Sequence, residues 1–363
     1  MDVVFNAAEA PSAFNFVSAP GVFASSGGTC ATTSYTAGES CTVTASFTPA
    51  TAGVSSGGLV VASSTGEALA TDFLSGIGTG AGLTVDPGTV SSFGAGYTSP
   101  TGVAIDNLGN LFFADSSLNA VLEVPTGTTT AVALGGGLNG PSGVTVDGAG
   151  NVYVSDTGNN RIVEIPVVNG ALSTTAQQTV IASGAPVAGT ALSAPAGVTI
   201  DSAGNLFIAD AGNKRVVEVP YDGSWNLSLA STLGTGMMSP SAIVLDAAGN
   251  AYITDAGNGN VYKLNAPLGI CAQVTVASGY SSPSDVAVDP SGALFVVDEG
   301  NQKVWRIPII SGSLSPTSAV NVTGQLNASG TPIIADPYGI ALDSSGNLYV
   351  SDNVNAAAYL VAR

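Results

Sequence analysis

The sequence has no histidine, three cysteines and few basic residues. Histidine is the commonest general base and a usual zinc ligand, so its absence disfavours enzymes that depend on either role. The 25 acidic residues outnumber the 7 basic ones, and the first basic residue along the chain is Arg161. Nucleic acid is therefore not expected as a partner, because phosphate binding needs clustered lysine and arginine.

Long apolar runs are also missing, and none reaches the roughly 18 to 20 residues that a membrane span requires. We therefore expect no membrane insertion. What the chain does have is 47 glycines, 45% hydrophobic residues and only 9% charged residues. Abundant glycine, valine, serine and threonine favour strands and tight turns over amphipathic helices. The composition predicts an all-β protein.

One segment recurs six times along the chain. Two of the copies are GPSGVTVDGAGNVYVSDTGNNRIVEIP from Gly140 and APAGVTIDSAGNLFIADAGNKRVVEVP from Ala194. Each copy has a leading proline and two aspartates. The first aspartates are Asp106, Asp147, Asp201, Asp246, Asp289 and Asp343, and the second ones are Asp115, Asp156, Asp210, Asp255, Asp298 and Asp352.

Each copy predicts three short strands, which resemble GVTI, NLFIA and RVVEVP in turn. The near-continuous apolar character of the second segment is typical of a strand that is buried on both faces. A fourth strand is expected in the variable connectors, for example at 179–184 and 273–279. Four strands per period of about 40 to 50 residues indicate one blade of a β-propeller. Six copies therefore predict six blades.

The two ends of the repeat region predict how the ring closes. The last copy stops after its third strand, while an unassigned strand pattern at 89–95 precedes the first copy. We expect residues 89–95 to form the outer strand of the last blade, which would remove an open edge. The propeller is accordingly assigned to residues 89–363.

These segments resemble the NHL repeat, whose pattern runs Pro-x-Gly-Val-Ala-Val-Asp, Gly-Asn-Leu-Tyr-Val-Ala-Asp and Thr-Gly-Asn-Asn-Arg-Val. The resemblance covers about residues 99–361 and implies a six-bladed propeller. It does not imply one activity, because this fold carries many functions.

Two turns in each copy contain residues that could bind a ligand. The D-x-x-G-N stretch fits a hairpin turn, in which aspartate accepts backbone hydrogen bonds and glycine takes a positive φ. The second turn, DAGNKR at 210–215, lacks the ligand spacing of a calcium-binding EF-hand loop and the helix that a phosphate-binding loop needs. We expect both turns to be structural, with ligand contact by the second as the alternative.

Residues 1–80 lack the repeat, and residues 81–88 are assigned as a linker. The segment from CATTSYTAGESC to LSGIG resembles the C-terminal strands of a bacterial Ig-like domain of the choice-of-anchor type. This resemblance implies a small, incomplete Ig-like β-sandwich and a disulfide between Cys30 and Cys41. We therefore expect an exported bacterial protein, secreted or in the cell envelope, although no signal peptide is recognised in this chain.

The loops that lead into the first strands and the second turns should share one face around the channel mouth. Exposed rings and carboxylates there suit a sugar or a peptide. Asp285 replaces the glycine of the repeat, and Tyr338 replaces its serine, threonine or alanine. The candidate ligand-binding residues are Tyr97, Tyr280, Asp285, Glu299, Asp336 and Tyr338.

The sequence favours a non-catalytic binding or scaffold module for a protein, peptide or glycan, and no catalytic residue is assigned. The resemblance implies an alternative, a calcium-dependent lactonase or lyase of the kind found on related six-bladed propellers. Calcium would be its cofactor, but the lyases that resemble this fold rely on histidine. A structural envelope or adhesion segment of a longer protein is the third hypothesis.

Overall fold

The computed structural model describes residues 90–168, 171–172, 179–266, 268, 273–324, 332–343 and 346–362, together with six strands before residue 79. The chain divides into two units, Met1–Asp86 and Pro87–Arg363. No helix in the described part is long and apolar enough to cross a membrane.

The six strands of the first unit pair into two antiparallel sheets of three strands each. In order across the sheet, the first consists of Asp2–Val4, Ser40–Phe47 and Phe23–Gly28, and the second of Ala13–Val17, Gly53–Ala62 and Ala68–Gly78. The Ig-like assignment of this unit remains a prediction. Cys30 is not among the described residues, so the predicted Cys30–Cys41 disulfide lies outside them.

The described residues of the second unit form six four-stranded antiparallel blades, which confirms the predicted all-β, six-bladed propeller. The strands are given from the first to the fourth. Blade 1 consists of Pro100–Ile105, Leu111–Asp115, Ala120–Val124 and Val132–Leu134, and blade 2 of Val144–Val146, Val152–Asp156, Arg161–Ile165 and Thr179–Ser183. Blade 3 consists of Pro195–Ile200, Leu206–Asp210, Arg215–Val219 and Ser231–Leu233. Blade 4 consists of Pro240–Leu245, Ala251–Asp255, Asn260–Leu264 and Gln273–Ser278, and blade 5 of Pro283–Val288, Leu294–Asp298, Lys303–Ile307 and Val320–Asn321. Blade 6 consists of Pro337–Leu342, Leu348–Asp352, Ala357–Val361 and Val90–Phe93.

Short elements decorate the connections between these strands. Two small hairpins pair Val167–Val168 with Ala171–Leu172 and Ile309–Ile310 with Ser313–Leu314. Single 3-10 turns occupy Thr157–Asn159, Ala211–Asn213, Leu227–Leu229, Glu299–Asn301 and Pro316–Ser318. Three of these turns are the predicted second turns of blades 2, 3 and 5.

The second strand is the buried centre of each blade. In blades 1 to 5 every residue of this strand is buried, which explains the apolar run seen in the sequence. Hydrophobic clusters then fill the space between neighbouring blades. One of them packs Phe112 and Ala114 of blade 1 against Val144 and Val152 of blade 2.

Blade 6 takes its fourth strand from the segment that precedes blade 1. The strand Val90–Phe93 pairs antiparallel with Ala357–Val361, with Ser92 opposite Tyr359. Since the third strand of blade 6 is covered in this way, the two ends of the repeat region are joined by one ladder. This pairing leaves no open strand edge at the junction.

The first strands of neighbouring blades approach very closely around the centre of the ring. A Cβ atom added to Gly143 would lie 2.3 Å from the carbonyl oxygen of Ala196, and one added to Gly339 would lie 2.1 Å from that of Thr101. Such distances are impossible for real atoms, and the clash is with backbone, which cannot move aside cheaply. The glycine of the repeat is therefore required by the approach of the next blade.

Side-chain hydroxyls also join adjacent blades at this radius. The residue before the repeat glycine donates to a carbonyl oxygen of the following blade at four junctions. The bonds are Thr101 Oγ1 to Pro141 O at 3.1 Å, Ser142 Oγ to Ala196 O at 3.1 Å, Ser241 Oγ to Pro283 O at 2.6 Å and Ser284 Oγ to Tyr338 O at 2.7 Å. From blade 6, Ser351 donates instead to Thr101 O of blade 1.

The close approach predicts an unusual cost for a small substitution. Gly143→Ala should lower the free energy of unfolding by about 1 to 3 kcal/mol, because the added methyl group overlaps the Ala196 carbonyl. Gly148→Ala is the matched control, since a Cβ there meets nothing within 4 Å. Chemical denaturation of both variants checks this prediction, and equal stabilities would contradict it.

Candidate functional site at the cavity mouth

Each second strand ends in an aspartate that is at most 1% exposed, namely Asp115, Asp156, Asp210, Asp255, Asp298 and Asp352. In every blade this carboxylate accepts the N–H of the residue two positions before the first strand's leading proline, at 2.6 to 2.8 Å. Such charge-assisted bonds are strong when buried. They hold the loop that leads into the first strand against the turn that follows the second.

The DAGNKR turn at 210–215 is used within its own blade. Asp210 accepts Ser193 N–H at 2.8 Å, Asn213 Nδ2 at 2.8 Å and Arg215 Nε at 2.7 Å. Lys214 ends the turn in the left-handed region, with a φ of 59°. The side chains of Asp210, Asn213 and Arg215 in this turn are therefore engaged by protein atoms.

A cavity of about 260 Å³ lies at the centre of the ring and is lined by the first strands of all six blades. Each first strand is an edge strand of its sheet, so one backbone edge faces the cavity. Among the described residues that line it, Asp285 is the only charged one and Tyr338 the only aromatic one. Both belong to the predicted site.

Asp285 occupies the position that is glycine in four copies and Ala242 in a fifth. One carboxylate oxygen accepts the N–H of Val286 at 2.8 Å, and the other accepts the N–H of Ile340, in blade 6, at 2.9 Å. The side chain is half-buried and faces the cavity. Burial raises the pKa of this carboxyl to about 7, and the two N–H donors only partly offset it.

Of the other predicted residues, Tyr338 also lines the cavity, whereas Glu299 and Asp336 are not among its lining residues. The charges of Asp285 and Glu299, together with the larger effect of burial, raise the pKa of Tyr338 to about 12. Burial and then the charge of Asp336 raise the pKa of Glu299. The pKa of Asp336 is raised by burial and by Asp352. These electrostatic interactions link Asp285 to Tyr338, Tyr338 to Glu299 and Glu299 to Asp336 at the junction of blades 5 and 6.

The other two predicted residues lie elsewhere. Tyr97 is 7% exposed and packs edge-on against Phe113 at 4.9 Å between ring centroids, in the core shared by blades 1 and 6. Its expected place on the open face is wrong, because the ring is a packing residue. Tyr280 packs against the core cluster of blades 4 and 5, and is half-buried.

Tyr97 and Tyr280 occupy the same position of the repeat, which explains why both pack against the core. The residue three positions before the leading proline is buried in the other copies too, as Leu138, Leu192, Met237 and Ile334. Comparison of that column across the six copies could have identified Tyr97 as a core residue. We therefore restrict the candidate site, called the 5/6 site below, to Asp285, Glu299, Asp336 and Tyr338.

Sequence reasoning missed Ser284, which is 7% exposed and fixes the backbone of Tyr338 through its 2.7 Å hydrogen bond. The sequence could have indicated a structural role for Ser284, because three other copies have serine or threonine at this position. Within the described residues, no group of three or more acidic, cysteine or histidine side chains has the arrangement of a metal site. The 5/6 site thus offers the Asp285 carboxylate and the Tyr338 phenol at the cavity wall, with the carboxyl group of Glu299 close enough to Tyr338 to affect its pKa.

The family comparison identifies the repeats directly. Residues 138–165, 192–218 and 280–307 match the NHL repeat model, so the chain contains NHL repeats. These segments correspond to blades 2, 3 and 5, each with its preceding loop. No curated protein matches the sequence significantly.

Solved structures with similar folds share little sequence with this chain. Virginiamycin B lyase from Staphylococcus aureus is 14% identical, with a TM-score of 0.53 over 76% of this chain and 99% of that one. A gluconolactonase from Xanthomonas campestris is 15% identical, with a TM-score of 0.57 over 75% and 88%. A Bacteroides thetaiotaomicron protein of unknown function is 16% identical, with a TM-score of 0.58 over 96% and 90%. At these identities the likeness supports the propeller fold alone.

The raised pKa of Asp285 predicts a pH-dependent stability. Because the folded protein holds this pKa near 7, above the value of about 4 in an unfolded chain, ionisation costs stability as the pH rises between those values. Asp285→Asn removes that loss. The thermal midpoint of this variant, relative to wild type, should therefore rise more at about pH 8 than at about pH 5. The corresponding difference in the free energy of unfolding should be on the order of a few kcal/mol.

Asp222→Asn, which removes an exposed carboxylate after the third strand of blade 3, is the control. The same difference between the two pH values in both variants would contradict a special environment for Asp285.

Proposed function

We propose that the propeller is a non-catalytic binding module of an exported bacterial protein, which holds a protein, peptide or glycan at the 5/6 site. The observation that supports this most is that Asp285 and Tyr338 line the same cavity, with the charge of Glu299 acting on Tyr338. These residues come from two blades and depart from what the other copies have there. Substitutions that place several polar groups close together favour a ligand-binding site over random variation of loops.

The surrounding structure suits a rigid receptor. Both loops that lead into blades 5 and 6 are held by buried carboxylates, through Ser281 N–H on Asp298 at 2.7 Å and Ala335 N–H on Asp352 at 2.6 Å. A site whose backbone is fixed in advance loses little conformational entropy when it binds. Affinity can then come from few contacts.

A hydrolase is the second candidate, and the pKa of Asp285 near 7 is the observation that favours it. A lactonase of the calcium type would need a set of oxygen ligands, and the described residues contain no group of three carboxylates in such an arrangement. Stoichiometric calcium after dialysis, with lactone hydrolysis that Asp285→Ala abolishes, would favour this candidate over the binding module.

The binding module predicts a saturable ligand on an array of glycans and peptides. Tyr338→Ala should weaken the strongest hit by about tenfold or more, because it removes the one aromatic ring among the described residues that line the cavity. Surface plasmon resonance with the purified full chain provides the affinities.

Tyr97→Phe is the matched control, since Tyr97 is buried in another blade junction. Its affinity should equal that of wild type. Equal binding by wild type and Tyr338→Ala would contradict the assignment of the 5/6 site, and an array without any saturable hit would contradict the binding function.

A further inference from the structure

Asp285 is a carboxylate without a counter-ion among the described residues. The ion pairs in that part of the chain join Arg161 to Asp156, Arg215 to Asp210 and Arg306 to Asp289. Lys263 and Lys303 lie over the rings of Tyr252 and Trp305. Lys214 is exposed at the end of the second turn of blade 3. None of these described cations forms an ion pair with Asp285, the one charged group among the described residues that line the cavity.

An ionised carboxylate at position 285 costs free energy because of where this residue lies. In the four copies with glycine there, the next blade approaches too closely for a Cβ. One added to Gly102, for example, would lie 2.6 Å from the carbonyl oxygen of Ser142. Blade 5 instead accommodates a whole carboxylate, whose oxygen accepts the N–H of Ile340 in the next blade. Burying an ion without a cation partner costs several kcal/mol unless something compensates it.

We propose that the ligand of the 5/6 site inserts a primary ammonium group into the central cavity, where Asp285 receives it. This inference rests on the proposed binding function and names the ligand chemistry. An ammonium supplies the missing positive charge and three N–H donors. Asp285 has lone pairs left after its two backbone bonds, and the Tyr338 hydroxyl and the backbone edges of the first strands provide further acceptors.

The size of the cavity limits the rest of the ligand. Pockets for drug-sized molecules span about 300 to 1,000 Å³, so a cavity of about 260 Å³ admits a side chain or a small amine and not an oligosaccharide. The lysine side chain of a peptide and a free alkylamine share the required chemistry. A glycan without an amine would have to remain at the mouth.

The neighbouring titratable groups determine how binding depends on pH. Tyr338 stays protonated, because burial together with the charges of Glu299 and Asp285 raises its pKa to about 12. Glu299 and Asp336, at the mouth, are both carboxyls with raised pKa values that add negative charge as the pH rises. Protonation of Asp285 removes the partner of the ammonium, so binding should weaken as the pH falls through about 7.

Isothermal titration calorimetry of the full chain tests this with n-butylammonium chloride and with Nα-acetyl-lysine methylamide. The neutral controls are n-butanol and the Nε-acetylated lysine derivative. At least one amine should bind saturably at about pH 8, at least about tenfold more tightly than its neutral control, and about tenfold more weakly at about pH 6. Binding by both amines, or by one alone, identifies the source of the ammonium.

Asp285→Asn should lower this affinity by about tenfold or more, whereas Asp222→Asn, which makes the same change in net charge, should leave it within about twofold. Equal binding of amines and neutral controls overturns the inference. So does saturable binding of calcium chloride that depends on Asp285 while the amines fail to bind. If the array yields a ligand that depends on Tyr338 but neither amine binds, the inference fails and the binding function stands; if the array yields no ligand and neither amine binds, both fail.

Discussion

The propeller is constrained by the contact between the backbones of neighbouring first strands. Around the cavity these strands come so close that the Cβ of an ordinary residue at Gly102, Gly143 or Gly339 would overlap the next blade. This approach keeps the cavity near 260 Å³ and allows hydroxyls such as Thr101 Oγ1 to reach the following blade. A side chain at the glycine position is therefore a local exception that the surrounding blades must accommodate.

Ala242 and Asp285 are the two exceptions, and the chemistry of Asp285 follows from where it lies. Burial raises its pKa, while the N–H groups of Val286 and Ile340 hold its oxygens in place. The buried aspartates of the second strands then fix the loops around it. In blades 2 and 3 these aspartates have arginine partners, whereas blades 5 and 6 carry Glu299 and Asp336 nearby instead. The ring is thus regular in fold and uneven in charge.

The fold was predictable because its information is local and repeated. A period-two or continuous apolar pattern, the aspartate turns and six copies of one segment determine strands, blades and their number. The 5/6 site was partly predictable, since Asp285 and Tyr338 differ from the residues of the other copies. Tyr97 was misassigned because loop position alone suggested exposure, although its repeat column is apolar throughout. The hydrogen bond between Asp285 and the N–H of Ile340 could not be predicted, because it joins two blades, and the pattern of a single strand carries no information about how neighbouring blades contact each other.

The most direct test of this account is the titration of the Asp285 side chain itself. Carbon-13 NMR of the carboxyl groups, with Asp285→Asn to assign the signal, reports its midpoint in the free protein. A midpoint near 7 is expected, because the carboxyl is buried and has no ion-pair partner among the described residues. A midpoint near the ordinary value of about 4 would contradict it, since the carboxylate would then be solvated or already paired.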